Sequence, residues 1–385
     1  MSLQLSYVLV TPYTIVKSRT GGVISRLLSR TDLELVGAQI FSPDEAFAKE
    51  YAGNLRKRSP GNQIMLLADY VEQNLALSGH RSLLLLFRGE KPCEKLLSIC
   101  GHIYTQHIEV DAISGETIRD TYADLIFSKD NSDEVKYFEP AVLTPRDQEE
   151  VNADLLQFAL FLEGKDNLVR NMNYPDPSKI ERTLVIIKPD NWIYNSSRPG
   201  AIIDMFSRTG LRIVGIKVHR FSLAQALDFY GPVEDVLKTN LAPRFGKRAK
   251  EILEKEFNFS LSEEAAKALS DSFGIECAKD QFAQIVEFMS GKRPGGCPPE
   301  ELHNPGSVKC MILVYEGVEA VKKIRDVLGP TDPLKAPNGT VRREFGSNVM
   351  VNTAHASDSR ESYEREKVIV KIEENSLSSI IREYI

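Results

Sequence analysis

No apolar run in this 385-residue sequence approaches the ~20 residues that cross a bilayer, so no membrane-spanning helix is expected. The N-terminus also lacks the basic-then-apolar profile of a secretory signal, and a cytoplasmic location is the expectation. Cysteine is sparse. Cys93, Cys100, Cys277, Cys297 and Cys310 are an odd five, and no two form a Cys-x-x-Cys pair. Reduced thiols in a reducing compartment are the natural reading. An excess of positive charge is missing too. With 48 Lys and Arg against 54 Asp and Glu, the net charge is −6, which argues against a chain that coats nucleic acid. A ferredoxin-like nucleic-acid binder wants a basic sheet face with aromatics, and no such pattern is present. A local basic pocket for a phosphate-rich ligand stays open.

What is present is a soluble globular composition, 42% hydrophobic and 26% charged, in a chain long enough for two domains. The first half repeats in the second. Thr20 to Gly37 aligns without a gap on Arg198 to Gly215. Later, Leu86 to Gly89 and Gly101 match Val314 to Gly317 and Gly329, and Gly115 to Tyr122 matches Gly339 to Phe345 loosely. A period of this size is a duplicated domain, not a solenoid. In the second copy the pattern predicts strands at Thr183–Lys188, Arg212–Phe221, Lys309–Tyr315 and Lys367–Ile372. It predicts helices at Gly200–Thr209, Ala224–Tyr230, Gly317–Leu328 and Asp358–Arg365. Helices returning between antiparallel strands give an α+β chain of two ferredoxin-like, split βαβ sandwich domains. The expected boundaries are 1–163, a linker at 164–180 holding Gly164, Pro175 and Pro177, and 181–385.

One histidine stands out. In Asn352-Thr353-Ala354-His355-Ala356-Ser357-Asp358-Ser359 it lies among small residues ahead of a polar helix start, where Asp358 and Glu361 read as an N-cap and capping box. Such a histidine can act as a nucleophile. Upstream, the apolar run Arg182 to Ile187 ends in Lys188-Pro189-Asp190, the proline stopping further pairing. Further on come Gly329-Pro330-Thr331-Asp332-Pro333 and Gly339-Thr340-Val341-Arg342-Arg343-Glu344-Phe345.

Together, and in this order, these four motifs resemble nucleoside diphosphate kinase over roughly residues 181–385. The resemblance implies a ferredoxin-like fold and phosphoryl exchange between nucleoside triphosphates and diphosphates, a reaction that asks for positioning and positive charge. His355 would attack the terminal phosphate, with Glu366 bonding its other ring nitrogen and Ser357 supporting that carboxylate. Lys188, Arg325 and Arg342 would surround the phosphates. Thr331 would offer a hydroxyl to an inner phosphate, and Tyr230 would stand near the transferred one. Asn352 and Lys188 would bond the sugar hydroxyl, and Val349 would pack on the base. Mg²⁺ would bridge the phosphates, with no protein metal site expected. Two insertions depart from the family, near 231–281 and 292–307. Counting back from Met289 puts Gln281 where an aromatic normally stacks on the base; either Phe282 beside it substitutes or the stacking changes.

The first copy has lost these groups. Thr11 stands for Lys188, Leu97 for Arg325, and the segment Phe127 to Asp133 puts Asp130 nearest to His355; Arg119 alone keeps a cation. An inactive partner packed as an intrachain pseudo-dimer is expected, with homo-oligomers of the whole chain. A non-catalytic nucleotide-binding or scaffold protein is the competing reading, and the full residue set of the second copy favours the enzyme.

Overall fold

The computed structural model describes residues 3–58, 62–103, 115–129 and 135–385. Within these, residues 1–218 and 311–385 form one unit and residues 219–310 a second.

The first unit is built on two sheets. In chain order the strands of the first are β1 (Gln4–Val10), β2 (Glu34–Phe41) and β3 (Ser82–Gly89). A separate hairpin of β4 (Asp124–Phe127) and β5 (Val135–Glu139) follows, and then the short β6 (Val142–Leu143). The second sheet uses β7 (Ile180–Ile187), β8 (Arg212–His219), β9 (Cys310–Val318) and β10 (Ala354–Ala356). The strand orders are β2-β3-β1-β6 and β10-β7-β9-β8. With the hairpin set aside, both orders place the fourth strand beside the first, the first beside the third and the third beside the second. That is the split βαβ arrangement, and the α+β, ferredoxin-like class holds for both sheets. β1 pairs antiparallel with β3 and β6, and β7 pairs antiparallel with β9 and β10. β7 and β9 are the central strands, and their runs Leu184–Ile187 and Cys310–Tyr315 are buried throughout, as strands covered on both faces must be.

Two features tie the copies of the repeat together. The helices Thr20–Ser29 and Arg198–Ser207 cross with their backbones in contact: a Cβ on Gly21 would lie 2.5 Å from the Gly200 carbonyl oxygen. Beside them Ser25 Oγ donates to Ser197 O at 3.0 Å and Asn195 Nδ2 to Thr31 O at 2.7 Å. Secondly, the helix Leu377–Arg382 packs on Gln148–Leu162, and its Leu377 and Ile381 join the core of Tyr7, Phe47 and Phe158 under the first sheet. The segment 164–179 does not hang between the copies. Leu168 and Val169 are buried, Val169 N–H donates to Val214 O at 2.8 Å, and Asn167 Nδ2 donates to Ile372 O at 3.0 Å.

Three expectations are corrected. Lys367–Ile372 is not a strand. It is the end of the helix Arg360–Ile369 and the turn after it, where Lys371 has φ +51°. Sheet-edge pairing goes to β10 instead, because a left-handed Thr353 (φ +73°) turns the chain against β7. The helix N-cap is Ser359, one residue beyond Asp358; its hydroxyl accepts from Ser362 N–H at 3.1 Å. The helix expected to stop at Tyr230 runs Leu223–Phe257 through Pro232 and Pro243. Proline costs a helix a hydrogen bond without always ending it. Here the helix is held by the helix Ile275–Ser290 and the turn before it, where a Cβ on Gly274 would lie 2.2 Å from Ala242 O. Both insertions fall in this second, mostly helical unit.

Candidate active site

Pairing with β7 fixes His355. Ala354, His355 and Ala356 lie opposite Ile187, Ile186 and Val185, and Lys188 N–H donates to Thr353 O at 2.9 Å. The alanines are buried, while the histidine side chain keeps 23% exposure. Its Nε2 is 3.0 Å from Glu366 Oε1, and Glu366 Oε2 accepts from Ser357 Oγ at 2.6 Å. Ser357 Oγ in turn accepts from Leu184 N–H at 3.3 Å. Glu366 and Ser357 are buried. A carboxylate can only accept, so Nε2 carries the proton and Nδ1 the lone pair.

A cationic cluster begins two strand positions away. Lys188, at the end of β7, is buried, and its Nζ donates to Asn352 Oδ1 at 2.7 Å. Burial first, and the Arg342 guanidinium second, push its ammonium down to about 8, against the opposing pull of Asp190. Arg342 sits in the short helix Val341–Phe345 and donates to Gly329 O and Ala354 O, both at 3.0 Å. It thereby ties the Gly329 turn to the backbone beside His355. Asn352 Nδ2 donates to Val349 O at 2.7 Å and Thr331 O at 3.2 Å. His355, Glu366, Ser357, Lys188, Asn352 and Arg342 thus share one network of backbone and side-chain contacts. Arg325, Thr331 and Val349 are exposed around it, Val349 at 58%. Tyr230 and Phe282 belong to the second unit, where both are 7% exposed; Gln281 is half-buried there.

Sequence reasoning missed Asn191. Its Nδ2 donates to Lys188 O at 3.1 Å and Thr353 O at 2.8 Å, pinning the two backbones that carry lysine and histidine. Its place directly after Lys-Pro-Asp was the available signal. Asp190 is buried with neither carboxylate oxygen hydrogen-bonded, and desolvation raises its pKa.

The first copy repeats the scaffold without the chemistry. Thr11 N–H donates to Ala141 O at 3.1 Å as Lys188 N–H does to Thr353 O, and Ala141, like Thr353, is left-handed (φ +60°). Val142 and Leu143 pair with Val10 and Leu9, as Ala354 and His355 pair with Ile187 and Ile186. Arg119 donates to Gly101 O and Val142 O just as Arg342 does to Gly329 O and Ala354 O. Leu97 O accepts from Gly101 N–H where Arg325 O accepts from Gly329 N–H. The residue in the histidine position is therefore Leu143, not Asp130, which lies outside the described residues. Counting on from there, Asp154 stands for Glu366, and its carboxylate accepts from Tyr7 OH at 2.7 Å where Glu366 meets an imidazole.

Among the described residues no group of three or more His, Cys, Asp or Glu could hold a metal. The cluster around His355 offers cations and an amide, a donor set suited to an anionic chain that brings its own ion.

A family model described as nucleoside diphosphate kinase matches residues 181–239 and 299–374, stopping and restarting inside the helical second unit. The nucleoside diphosphate kinase of Anaeromyxobacter sp. (strain Fw109-5) is 30% identical over 182 residues, covering 47% of this chain and 83% of that protein. The Halorhodospira halophila (strain DSM 244 / SL1) enzyme is 29% identical over 187 residues, covering 49% and 89%. The crystal structure of the Aquifex aeolicus nucleoside diphosphate kinase aligns at 26% identity over 52% of this chain and 98% of that one, with a TM-score of 0.31 that adds nothing to the strand order above. The matched segments carry the histidine, its carboxylate and the cation cluster, and the chain belongs to the nucleoside diphosphate kinase family of phosphotransferases.

Proposed function

We propose that the chain moves the terminal phosphate of a nucleoside triphosphate onto a nucleoside diphosphate through a phosphohistidine at His355, and so maintains nucleoside triphosphate pools. The observation that carries this reading is the His355–Glu366–Ser357 relay set beside Lys188 and Arg342.

His355 Nδ1 attacks the γ-phosphorus. A P–N bond forms, the bond from phosphorus to the β–γ bridging oxygen breaks, and the nucleoside diphosphate leaves with that oxygen. The imidazole gains positive charge, which Glu366 offsets through Nε2–H while Ser357 holds the carboxylate in line. A second diphosphate then attacks the phosphohistidine by the reverse path. Lys188 and Arg342 neutralise the oxygens on which charge is redistributed, while Arg325 reaches the phosphates from the rim and Thr331 offers its hydroxyl to an inner one. Asn352 has both amide hydrogens committed to carbonyls and one acceptor position to Lys188. It can take a sugar hydroxyl only through the second lone pair of Oδ1. Val349 is exposed and apolar, suited to a base whose edges it does not read, and broad nucleobase tolerance follows. Magnesium fits as a nucleotide-borne ion that neutralises phosphate charge when bound.

The first copy is read as an inactive partner, the chain being a fused pseudo-dimer of residues 1–163 and 181–385 that assembles further into oligomers. The Gly21–Gly200 crossing and the docking of Leu377 and Ile381 support it.

Initial-rate kinetics test the function. With ATP as donor and GDP, CDP or UDP as acceptor, double-reciprocal plots should be parallel, as two half-reactions in one pocket require. Converging lines would indicate direct transfer, and no transfer at all would favour a nucleotide-binding scaffold.

A further inference from the structure

A cavity of about 320 Å³ opens in the first unit, where residues near 15–18 and 78–81 of the first copy meet residues near 172–173 and 210–212. Two arginines line it. Arg81 is only 6% exposed, and its Nη1 donates across the seam to Ile213 O. Arg212 donates from Nη1 to Asn173 O at 2.8 Å, and its guanidinium lies over the Tyr174 ring, 4.5 Å from the centroid. No aspartate or glutamate is among the described residues lining the cavity. The acid that Arg81 feels, Glu316, is already taken by Arg182 at 2.6 Å and by Tyr174 OH at 2.9 Å. Burial and the like charge of Arg212 lower the Arg81 pKa to about 10, with Tyr174 and Glu316 offsetting only part of that, so it stays charged at neutral pH.

The rest of the wall is mixed. Ser18 and Ser78 bring hydroxyls, while Ile15, Met172 and Leu211 bring apolar surface. The volume falls at the small end of ligand sites, roughly 300–1,000 Å³. It equals about ten waters at ~30 Å³ each, more than a bare phosphate fills.

We propose that this seam cavity binds a phosphate monoester of a small organic metabolite. Its phosphate sits between Arg81 and Arg212, and its organic part lies on Ile15, Met172 and Leu211. Since the walls come from both copies of the repeat, occupancy ties them together. The site is separate from the His355 cluster and does not depend on the phosphotransfer reading.

Titration calorimetry on the full chain decides it, with 5′-AMP and inorganic phosphate as separate probes. Two variants leave the buried Arg81 in place: Ser78→Asp puts an acid on the exposed rim, and Arg212→Gln removes one charge. In wild type we expect an AMP-binding component that each variant weakens at least tenfold, while both variants keep the wild-type melting temperature and phosphoryl exchange within twofold of wild type. That second readout separates this site from nucleotide binding at His355. AMP binding at least tenfold tighter than phosphate supports a monoester. Equal affinities, still lost in the variants, would overturn the monoester and leave inorganic phosphate as occupant. Identical binding by wild type and both variants, or none by wild type, would overturn the site itself.

Discussion

Burial of Lys188 beside Arg342 holds its ammonium near 8, within reach of ordinary assay pH. The sign follows from which form works. The cation is lost as pH rises through about 8, so the alkaline side of the kcat/KM profile of wild type should bend near that value and fall about tenfold per pH unit well above it. Bound phosphates favour the charged form, so the corresponding limb in kcat should lie at higher pH. Lys188→Arg should remove the limb below pH 10, because a guanidinium stays protonated. A pH–rate profile whose alkaline limb is unchanged in that variant would take Lys188 out of the account. Arg342 is the second residue-scale test. Arg342→Ala should lower kcat by roughly 10²–10³, the scale for removing a preorganised charge donor. Because it also cuts the tie between Gly329 O and Ala354 O, Arg342→Lys should recover only part of the loss. A change of less than twofold on Arg342→Ala would mark it as a structural tie alone.

At the crossing of Thr20–Ser29 with Arg198–Ser207 the two backbones leave no room for a side chain. A Cβ on Gly200 would lie 2.3 Å from both Gly21 O and Ser25 N. Gly200→Ala must push the helices apart, and it should destabilise by roughly 1–3 kcal/mol or somewhat more, as overpacking does. Gly164→Ala is no control, since Gly164 has φ +70°. Gly231→Ala is one, with nothing within 4 Å and no left-handed backbone. Equal melting temperatures for the Gly200 and Gly231 variants would show that the crossing is loose. The helices and central strands were legible because their cues are local: β7 is an apolar run ended by Pro189, and Arg198–Ser207 opens with Pro199 in its first turn. β10 was not legible. Ala-His-Ala has no strand pattern of its own, and it pairs only because Thr353 turns it onto β7. Lys367–Ile372 is rich in β-branched residues like a strand, yet the helix started by Ser359 runs into it as far as Ile369 and brings Glu366 back to His355. The first copy's register failed for a related reason: the hairpin of β4 and β5 stands between Arg119 and β6, so a residue count from the motif reached Asp130 instead of Leu143. The proposed site residues were legible as spaced motifs. What could not be read was depth, namely that Lys188 would be buried and Val349 exposed.

In the whole molecule one copy is proposed to react while the other supports it. Leu377 and Ile381, though they follow the catalytic motif, are buried in the first copy's core. A fragment of residues 181–385 would expose both, losing about 1.5–3 kcal/mol for each, together with the helix crossing. Against a typical stability of about 5–15 kcal/mol, it should melt at least ~10 °C below the full chain or aggregate. A fragment as stable as the full chain would contradict the fused pseudo-dimer. Phosphoryl exchange turns on a single atom, His355 Nδ1, and the covalent intermediate on it can be trapped. The full chain is incubated with γ-labelled ATP, trapped without acid, and mapped by mass spectrometry. The account predicts an acid-labile, base-stable phosphate on His355, approaching one per chain, discharged by added nucleoside diphosphate and absent from His355→Ala. Phosphate on any residue of the first copy, or transfer to nucleoside diphosphates that persists in His355→Ala, would contradict it.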